Sequence, residues 1–208
     1  MPVTIGALRE SASRETRVSL VPEVAEKLAQ SGARLLLERG AGTSAQFPDA
    51  AYRAVEWADS AAAVLEQAQV LLTVQPLSLE QIAALQPGAV LIGFLQPYAR
   101  HEEVKALKER RITSFAMELV PRISRAQSMD ALSSQAAIAG YKAVLIAANH
   151  LQKFLPMLTT AAGTIRPAQV LIIGAGVAGL QAIATARRLG AVVEAYAVRG
   201  ATREQVKS

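Results

Sequence analysis

The sequence predicts an α/β protein made of two open parallel-sheet subdomains, the second of them incomplete. Three observations lead to this fold class. Short apolar runs alternate with helix-like stretches along the first ~115 residues, as the crossovers of a parallel sheet require. A glycine-rich turn at 174–179 then joins a further strand-like run to a helix. Only one more strand-like run follows this turn, so the second sheet is short of strands.

The composition is that of a folded protein with a sizeable core. The chain has 208 residues, of which 51% are hydrophobic and 19% are charged. The net charge is +5, from 22 basic and 17 acidic residues, but the basic residues are scattered, which argues against nucleic-acid binding. The absence of cysteine excludes disulfides, thiol catalysis and cysteine-ligated metal, and it favours a reducing compartment. No cluster has the spacing of metal ligands, so no metal is expected.

The sequence shows no targeting or membrane-spanning signal. The N-terminus MPVTIGALRE lacks the apolar core of a signal peptide. No run approaches the ~18 consecutive apolar residues of a spanning helix. We therefore expect a soluble chain with no direct membrane span.

The first subdomain, including the polar segment described next, is predicted to span residues 1–133. Its strands are predicted at 3–8, 34–38, 70–74, 89–94 and 112–115. Its helices are predicted at 22–31, 58–67, 79–85 and 101–110, the first of them opened by Pro22 and closed by Gly32. The charged stretch Arg9–Arg17 is predicted to be a loop at the carboxyl end of the first strand. This alternation predicts a parallel sheet with right-handed crossovers.

The polar segment, residues 117–135, has poor periodicity and many hydrogen-bonding side chains. These side chains belong to Arg122, Arg125, Gln127, Ser128, Asp130 and Ser133. Long loops inside compact domains are usually functional or disordered, and the apolar residues spaced through this one argue against disorder. Taken singly, each residue has a simpler interpretation, such as a solvated arginine or a helix cap at Asp130 or Ser133. The set as a whole favours a functional loop.

A long alanine-rich helix is predicted at 134–155, ending before Pro156 and connecting the two subdomains. Residues 156–208 then form the second, partial subdomain. Within it, residues 159–167 are predicted to be a small-residue turn, and the apolar run 170–173 a strand buried on both faces. A helix follows the glycine turn, and the next strand is predicted at 191–198.

Gly174, Gly176 and Gly179 have the G-x-G-x-x-G spacing, in the required position between a strand and a helix. In dinucleotide-binding, Rossmann-like folds the first glycine permits a tight turn and the second lets the backbone approach a pyrophosphate. The third lets the helix lie close to the strand. The N–H groups of the helix start, at Val177 and Ala178, then meet the phosphates. A tight turn without a ligand is the alternative, which we rank lower.

The end of the last predicted strand lacks an acidic residue. A dinucleotide fold usually places Asp or Glu there, about 20 residues past the glycines, to accept hydrogen bonds from ribose hydroxyls. That position falls at Ala197, and Val198 and Arg199 complete the predicted cofactor-binding residues. Arg199 is either solvated or placed to meet a 2′-phosphate, so the choice between NAD and NADP stays open. Because a complete fold of this type has six strands, we expect a fragment of a longer protein or a truncated relative.

The sequence also resembles a known family over essentially its whole length. The resemblance is densest in AMELVPRISRAQSMDALSSQ at 116–135, TAAGT at 160–164 and GAGVAGLQAIATARRLGA at 174–191. The segment RETRVSLVPEV at 14–24 is shared more widely. On these segments the chain resembles the NAD(H)-binding domain of proton-translocating nicotinamide nucleotide transhydrogenase, within the alanine dehydrogenase/transhydrogenase superfamily.

This resemblance implies an oxidoreductase component that binds NAD(H) and passes hydride from NADH to NADP⁺, coupled to inward proton movement. It implies two subdomains with NAD(H) in the cleft between them, assembled as a homodimer. It also implies two partners, an NADP(H)-binding domain and a membrane proton-channel subunit. The implied location is cytoplasmic, peripheral at the inner face of the membrane.

The resemblance further implies roles for particular residues. The loop that holds the nicotinamide falls on Arg122, Gln127, Asp130 and Ser133. The pyrophosphate glycines are those of the glycine turn, and the ribose-binding aspartate falls on Ala197, where it is absent. Hydride transfer between two nicotinamides needs juxtaposed rings rather than a protein acid or base. His101 and His150 are therefore predicted to be structural.

Two alternative functions stay open. Alanine dehydrogenase chemistry needs a proton shuttle, but the superfamily's active-site lysine and histidine fall on Gln75 and Gln96, which cannot titrate. Arg17 matches the superfamily's substrate-carboxylate arginine and is predicted to be structural here, tying the 9–17 loop. The other alternative is a catalytically inactive, truncated binding or assembly module, which the missing acid at Ala197 favours.

Overall fold

The structure is a computed structural model, in which residues 2–198 are described. The chain divides into two compact units, Met1–Met129 and Asp130–Ser208. The division falls inside the polar segment, four residues before the predicted end of the first subdomain at 133. The long helix therefore belongs to the second unit.

The first unit contains a six-stranded parallel sheet. Its strands are β1 (Thr4–Ala7), β2 (Arg34–Glu38), β3 (Glu56–Ala58), β4 (Val70–Leu72), β5 (Val90–Gly93) and β6 (Thr113–Ala116). The order across the sheet is β3-β2-β1-β4-β5-β6, and every neighbouring pair is parallel. The order reverses between β1 and β4, where α/β sheets open a crevice at the carboxyl ends of the strands.

Helices cover both faces of this sheet. They are α1 (Pro22–Gln30), α2 (Ala61–Leu65), α3 (Leu79–Ala84) and α4 (His101–Glu109). In β2, Leu35 and Leu37 are buried with Ala25 of α1, whereas Leu36 is buried in the opposite layer with Val64 of α2. Because successive side chains of a strand point to opposite faces, this burial means that β2 lies between two helical layers.

Between β2 and β4 the structure adds a strand and shortens the predicted helix. The sequence predicts a single helix over residues 58–67, but Glu56–Ala58 pairs with β2 as an edge strand. The helix begins only at Ala61, where the hydroxyl of Ser60 caps it. A tryptophan at 57 and a serine cap were the available signals, since aromatic residues favour strands and serine favours helix starts.

The polar segment is more regular than predicted. It contains two 3₁₀ turns, Met117–Leu119 and Ser124–Met129, followed by α5 (Ala131–His150). The helix begins before the predicted residue 134 because Asp130 is its N-cap, and the Asp130 carboxylate accepts a hydrogen bond from the N–H of Ser133 at 2.9 Å.

The same helix ends earlier than the predicted residue 155. Its last residue is His150, and Leu151 already has an extended conformation. The carbonyl of Leu155 accepts a hydrogen bond from the N–H of Ala168 at 3.0 Å. This bond holds the segment after α5 against the start of the second sheet, which a continued helix could not do.

The predicted turn at 159–167 is a β-hairpin. Its strands are β7 (Leu158–Thr160) and β8 (Gly163–Ile165), which pair antiparallel. Gly163 has a φ of +126°, a conformation that side chains rarely adopt, so glycine is required where the hairpin reverses. Small residues therefore predicted the reversal of the chain but not its strand pairing.

The second unit also contains a two-stranded parallel sheet. β9 (Gln169–Ile173) and β10 (Val192–Tyr196) are joined by α6 (Val177–Arg188). Gly190, with a φ of +87°, closes α6. The α/β class with parallel sheets is thus confirmed in both units.

The burial of β9 differs from the prediction of a strand covered on both faces. Val170 and Ile172 pack against buried alanines of α6. Leu171 and Ile173, on the opposite face, are 61% and 78% exposed. In the described part of the chain the helices lie on one face of this two-stranded sheet, so the apolar run is covered on that face alone.

α5 is long and apolar enough to cross a membrane, judged by length and composition alone. Buried core helices of soluble proteins share these properties, but only 11% of the apolar window of α5 is buried in the structure. In the structure α5 packs along α6, where Val144 is buried together with Ala182 and Ala186. The absence of a direct membrane span stays a prediction.

Candidate functional site

The turn between β9 and α6 carries the three predicted glycines. Gly174 has a φ of +99°, and its N–H donates to the carbonyl of Tyr196 at 2.8 Å. A Cβ atom on Gly179 would lie 1.7 Å from the carbonyl oxygen of Gly174. The first and third glycines are therefore required by the turn itself, with or without a ligand.

Gly176 differs from these two glycines. Its φ is −83°, which any residue adopts, and a Cβ there would meet no described atom within 4 Å. The described protein atoms therefore do not require glycine at this position, whereas a ligand that approaches the backbone closely would. Gly176 is the N-cap of the 12-residue helix α6, and Val177 and Ala178 supply its first N–H groups. Such groups have no partner within a helix and suit a pyrophosphate.

The end of β10 offers no acidic side chain to a ribose. Ala197 follows the last residue of the strand and is half-buried, while Val198 is 90% exposed. Glu194 lies within the strand, three positions before Ala197, so its side chain points to the opposite face. The predicted contact of Arg199 lies outside the described residues.

The predicted nicotinamide-orienting residues fall in both units. Arg122 and Gln127 belong to the first unit and are exposed. Asp130 and Ser133 belong to the second, where the Asp130 carboxylate accepts hydrogen bonds from the N–H and the hydroxyl of Ser133 at 2.9 and 2.6 Å. The helix cap, the simpler interpretation of Asp130, is therefore present. Any role of the four residues towards a nicotinamide stays a prediction.

Two carboxylates at strand ends of the first unit were missed by the sequence reasoning. Glu10, just after β1, accepts hydrogen bonds from the N–H groups of Val74 and Gln75, just after β4. Glu118, just after β6, accepts hydrogen bonds from the N–H groups of Gln96 and of the residue before it, both of which follow β5. Each carboxylate thus satisfies backbone donors where a strand ends. The only available signal was a glutamate within three residues of a strand end.

Glu15 and Arg17 form an ion pair in the 9–17 loop. The Arg17 guanidinium donates to both carboxylate oxygens of Glu15, at 2.8 and 2.7 Å, and the side-chain amide of Gln75 donates to Glu15 as well. These bonds support the structural role predicted for Arg17. Within residues 2–198, no group of three or more acids or histidines is arranged to hold a metal ion.

The two glutamates of this loop have pKa shifts of opposite sign. Hydrogen bonds from Arg17 lower the pKa of Glu15 from 4.5 to about 2. Burial raises the pKa of Glu10, against the smaller lowering effect of the backbone N–H groups of Val74 and Gln75. Glu15 is therefore ionised in the native protein well below the ordinary pKa of a glutamate.

The lowered pKa of Glu15 predicts an acid-sensitive contribution to stability. As the pH falls from about 4.5 to 2, the unfolded chain takes up the proton before the native one, so the unfolding free energy falls, by roughly 1–3 kcal/mol. The raised pKa of Glu10 changes the unfolding free energy in the opposite direction, and it does so only above the ordinary pKa of 4.5. Urea unfolding between about pH 5 and pH 2.5 should show a shallower pH dependence for Glu15→Gln than for the wild type. Equal slopes would contradict the ion pair.

Two family models match the chain almost from end to end. The description "Alanine dehydrogenase/PNT, N-terminal domain" matches residues 6–139, and "Alanine dehydrogenase/PNT, C-terminal domain" matches residues 143–208. The chain belongs to the alanine dehydrogenase/PNT family. Membership agrees with the resemblance seen in the sequence, which is therefore confirmed.

Within the alanine dehydrogenase/PNT family the chain is similar to transhydrogenases. It is 50% identical over 207 residues to the first part of NAD(P) transhydrogenase subunit alpha of Rhodospirillum rubrum, covering 96% of this chain and 54% of that protein. It is 46% identical over 210 residues to the protein of the same name from Rickettsia prowazekii, covering 98% and 55%. The chain thus spans about half the length of the curated relatives it matches.

A solved transhydrogenase structure has the same fold. The transhydrogenase from Sinorhizobium meliloti matches with a TM-score of 0.94 and 46% identity, covering 98% of this chain and 61% of that chain. The Rossmann-like α/β class predicted from the sequence is confirmed by this likeness.

Proposed function

We propose that this chain is the NAD(H)-binding component of a proton-translocating transhydrogenase, in which hydride passes from NADH to NADP⁺. Gly176 carries the proposal, because it is a glycine for which the described fold has no steric need, placed at the start of a helix after a strand. The NAD(P) transhydrogenases similar to this chain support the same chemistry.

In this proposal the pyrophosphate of NAD(H) lies against the backbone of Gly176 and accepts hydrogen bonds from the N–H groups of Val177 and Ala178. Gly174 and Gly179 keep the turn tight enough for these amides to converge. The positive end of the α6 dipole adds a favourable interaction with the phosphate charge.

The nicotinamide end is assigned to the four polar residues Arg122, Gln127, Asp130 and Ser133. NADH supplies the hydride, and the chain contributes binding and orientation of the ring rather than a proton. The Asp130–Ser133 hydrogen bonds support this assignment, because they fix a carboxylate and a hydroxyl at the start of a long helix.

We further propose an NADP(H)-binding domain and a membrane proton-channel subunit as partners, two copies of this chain as a homodimer, and a position at the cytoplasmic face of the membrane. The support is the name of the relatives, which designates them as the first portion of a divided alpha subunit and so implies further portions. Direct hydride transfer also requires a second nicotinamide site to be brought against the first.

Alanine dehydrogenase activity is not supported by the first unit. Imine chemistry needs a residue that gives and takes a proton. Gln75 cannot titrate, and its side-chain amide donates a hydrogen bond to Glu15. Gln96 cannot titrate either, and its backbone is held by Glu118. The other alternative is that the chain is a binding or assembly module that does not bind NAD(H). The following test distinguishes it from the proposed function.

Replacing Gly176 by alanine tests the proposed site. We expect the affinity for NADH to fall about tenfold or more, because the methyl group stands where the pyrophosphate must approach the backbone. The thermal midpoint should stay within about 1 °C of the wild type, because the methyl group meets no described atom within 4 Å. Calorimetric titration and thermal unfolding measure the two quantities.

Adenosine, which lacks the phosphates, is the matched control ligand, and its affinity should be the same for both proteins. A folded wild-type chain that gives no heat with NADH would refute the proposal and leave the assembly module. Equal NADH affinity in wild type and Gly176→Ala would show that the backbone of the glycine turn does not contact the pyrophosphate.

A further inference from the structure

A fourth glycine, in α5, lies against the glycine turn at 174–179. Gly140 lies in the middle of α5 and is buried. A Cβ on Gly140 would lie 2.1 Å from the carbonyl oxygen of Ala178, and 2.8 and 3.0 Å from its carbonyl carbon and Cα. All three are backbone atoms of the predicted phosphate-binding turn, so no side chain could rotate to make room.

This close approach continues along the helix. Val144, one turn after Gly140, lies on the same face and is buried with Ala182 and Ala186 of α6. Gly140 and Val144 of α5 thus face small residues of α6, and the contact at Gly140 falls on the backbone of Ala178. Glycine disfavours the helix interior relative to alanine, so its presence at position 140 needs a reason such as this contact.

The same face of α5 leads to the polar residues of the proposed site. Ser133 precedes Gly140 by seven residues, which is two turns and about 10.5 Å along the axis. Asp130 caps this end of the helix and binds Ser133. One continuous helix therefore runs from the capped polar pair to the backbone of the glycine turn, all within the second unit.

We propose that Gly140 is a positioning residue for the NAD(H) site. By allowing α5 to rest on the backbone of Ala178, it sets the register of the helix against the phosphate-binding amides. It thereby fixes the separation between these amides and the Asp130–Ser133 pair at the nicotinamide end. The inference rests on the proposed function for its ligand, but the contact between helix and turn can be tested without one.

Gly140→Ala is the test, with Ala139→Gly as its matched control. Ala139 is the exposed neighbour of Gly140, so its replacement weakens the helix without touching the turn. Amide resonances of 174–179 in the ligand-free protein report the position of the turn. We expect them to move in Gly140→Ala and to stay in Ala139→Gly, while the NADH affinity falls about tenfold in the first variant alone.

A milder variant covers the case in which Gly140→Ala does not fold. Val144→Ala loosens the same helix contact by removing a side chain, and we expect the shifts to extend along α6 to the amide of Ala178. The proposal is overturned if the turn resonances of Gly140→Ala equal those of the wild type, if Ala139→Gly moves them equally, or if the shifts in Val144→Ala stay local. A wild-type chain that binds no NADH would refute the proposed function, yet the resonances would still decide whether Gly140 sets the position of the glycine turn.

Discussion

Replacing Gly179 by alanine is expected to destabilise the second unit by about 3 kcal/mol or more. The added Cβ would lie 1.7 Å from the carbonyl oxygen of Gly174 and 2.8 Å from its carbonyl carbon. The backbone of Gly174 is tied to β10 by its hydrogen bond to Tyr196, so it cannot yield without breaking the sheet. The alternative is for α6 to move off β9, which would open the alanine-rich contact between them.

Hydrogen exchange resolves this effect by unit. We expect faster exchange of the β9 and β10 amides in Gly179→Ala, with β1 and β4 of the first unit as an internal reference. Gly176→Ala is the matched control, because it adds the same methyl group three residues earlier, where it meets no described atom within 4 Å. Unchanged protection of β9 in Gly179→Ala would contradict the turn geometry.

The glycine turn was predictable because its requirements are local. A positive φ at Gly174 and the close approach at Gly179 follow from joining a strand to a helix in the fewest residues. The first sheet was predictable for a related reason, since strands between two helical layers must be apolar throughout. The three-residue edge strand Glu56–Ala58 lacks such a run, so a tryptophan and a serine cap were the signals that could separate it from the helix that follows.

Features that depend on distant contacts could not be read from the sequence. Glu10 binds backbone groups 64 and 65 residues away, and nothing around it in the sequence distinguishes it from a solvated loop residue. The burial of β9 depends on which layers cover it, and an apolar run alone does not specify that. Nothing near Gly140 in the sequence indicates that a Cβ there would meet the backbone of Ala178, because that contact joins two helices.

Asp130 shows a different limit of sequence reasoning. An aspartate before an apolar helix predicts a cap, and the same aspartate in a polar loop predicts a ligand contact. The structure contains the cap, with bonds to the N–H and hydroxyl of Ser133. The contact of Asp130 with a ligand stays a prediction, because the cap alone does not decide it.

Introducing an aspartate at position 197 is expected to raise the affinity for NADH by about 10- to 100-fold. Ala197 directly follows β10, at the strand end where dinucleotide folds place the acid that accepts hydrogen bonds from the adenine ribose. Each hydrogen bond from a hydroxyl to a carboxylate contributes roughly 1.5–3 kcal/mol, and one such bond gives a factor of this size. Titration of Ala197→Asp and wild type with NADH measures the gain.

The same substitution should change nucleotide selectivity, which separates a specific ribose contact from a general improvement in folding. NADPH carries a 2′-phosphate where the carboxylate would lie, so like-charge repulsion should prevent any gain in its affinity. Ala197→Asn keeps an acceptor without the charge, and we expect it to give a smaller gain with NADH and no penalty with NADPH. If Ala197→Asp leaves the NADH affinity of a binding-competent chain unchanged, the adenine ribose does not lie at the end of β10. The glycine turn would then hold a phosphate group whose nucleoside points elsewhere.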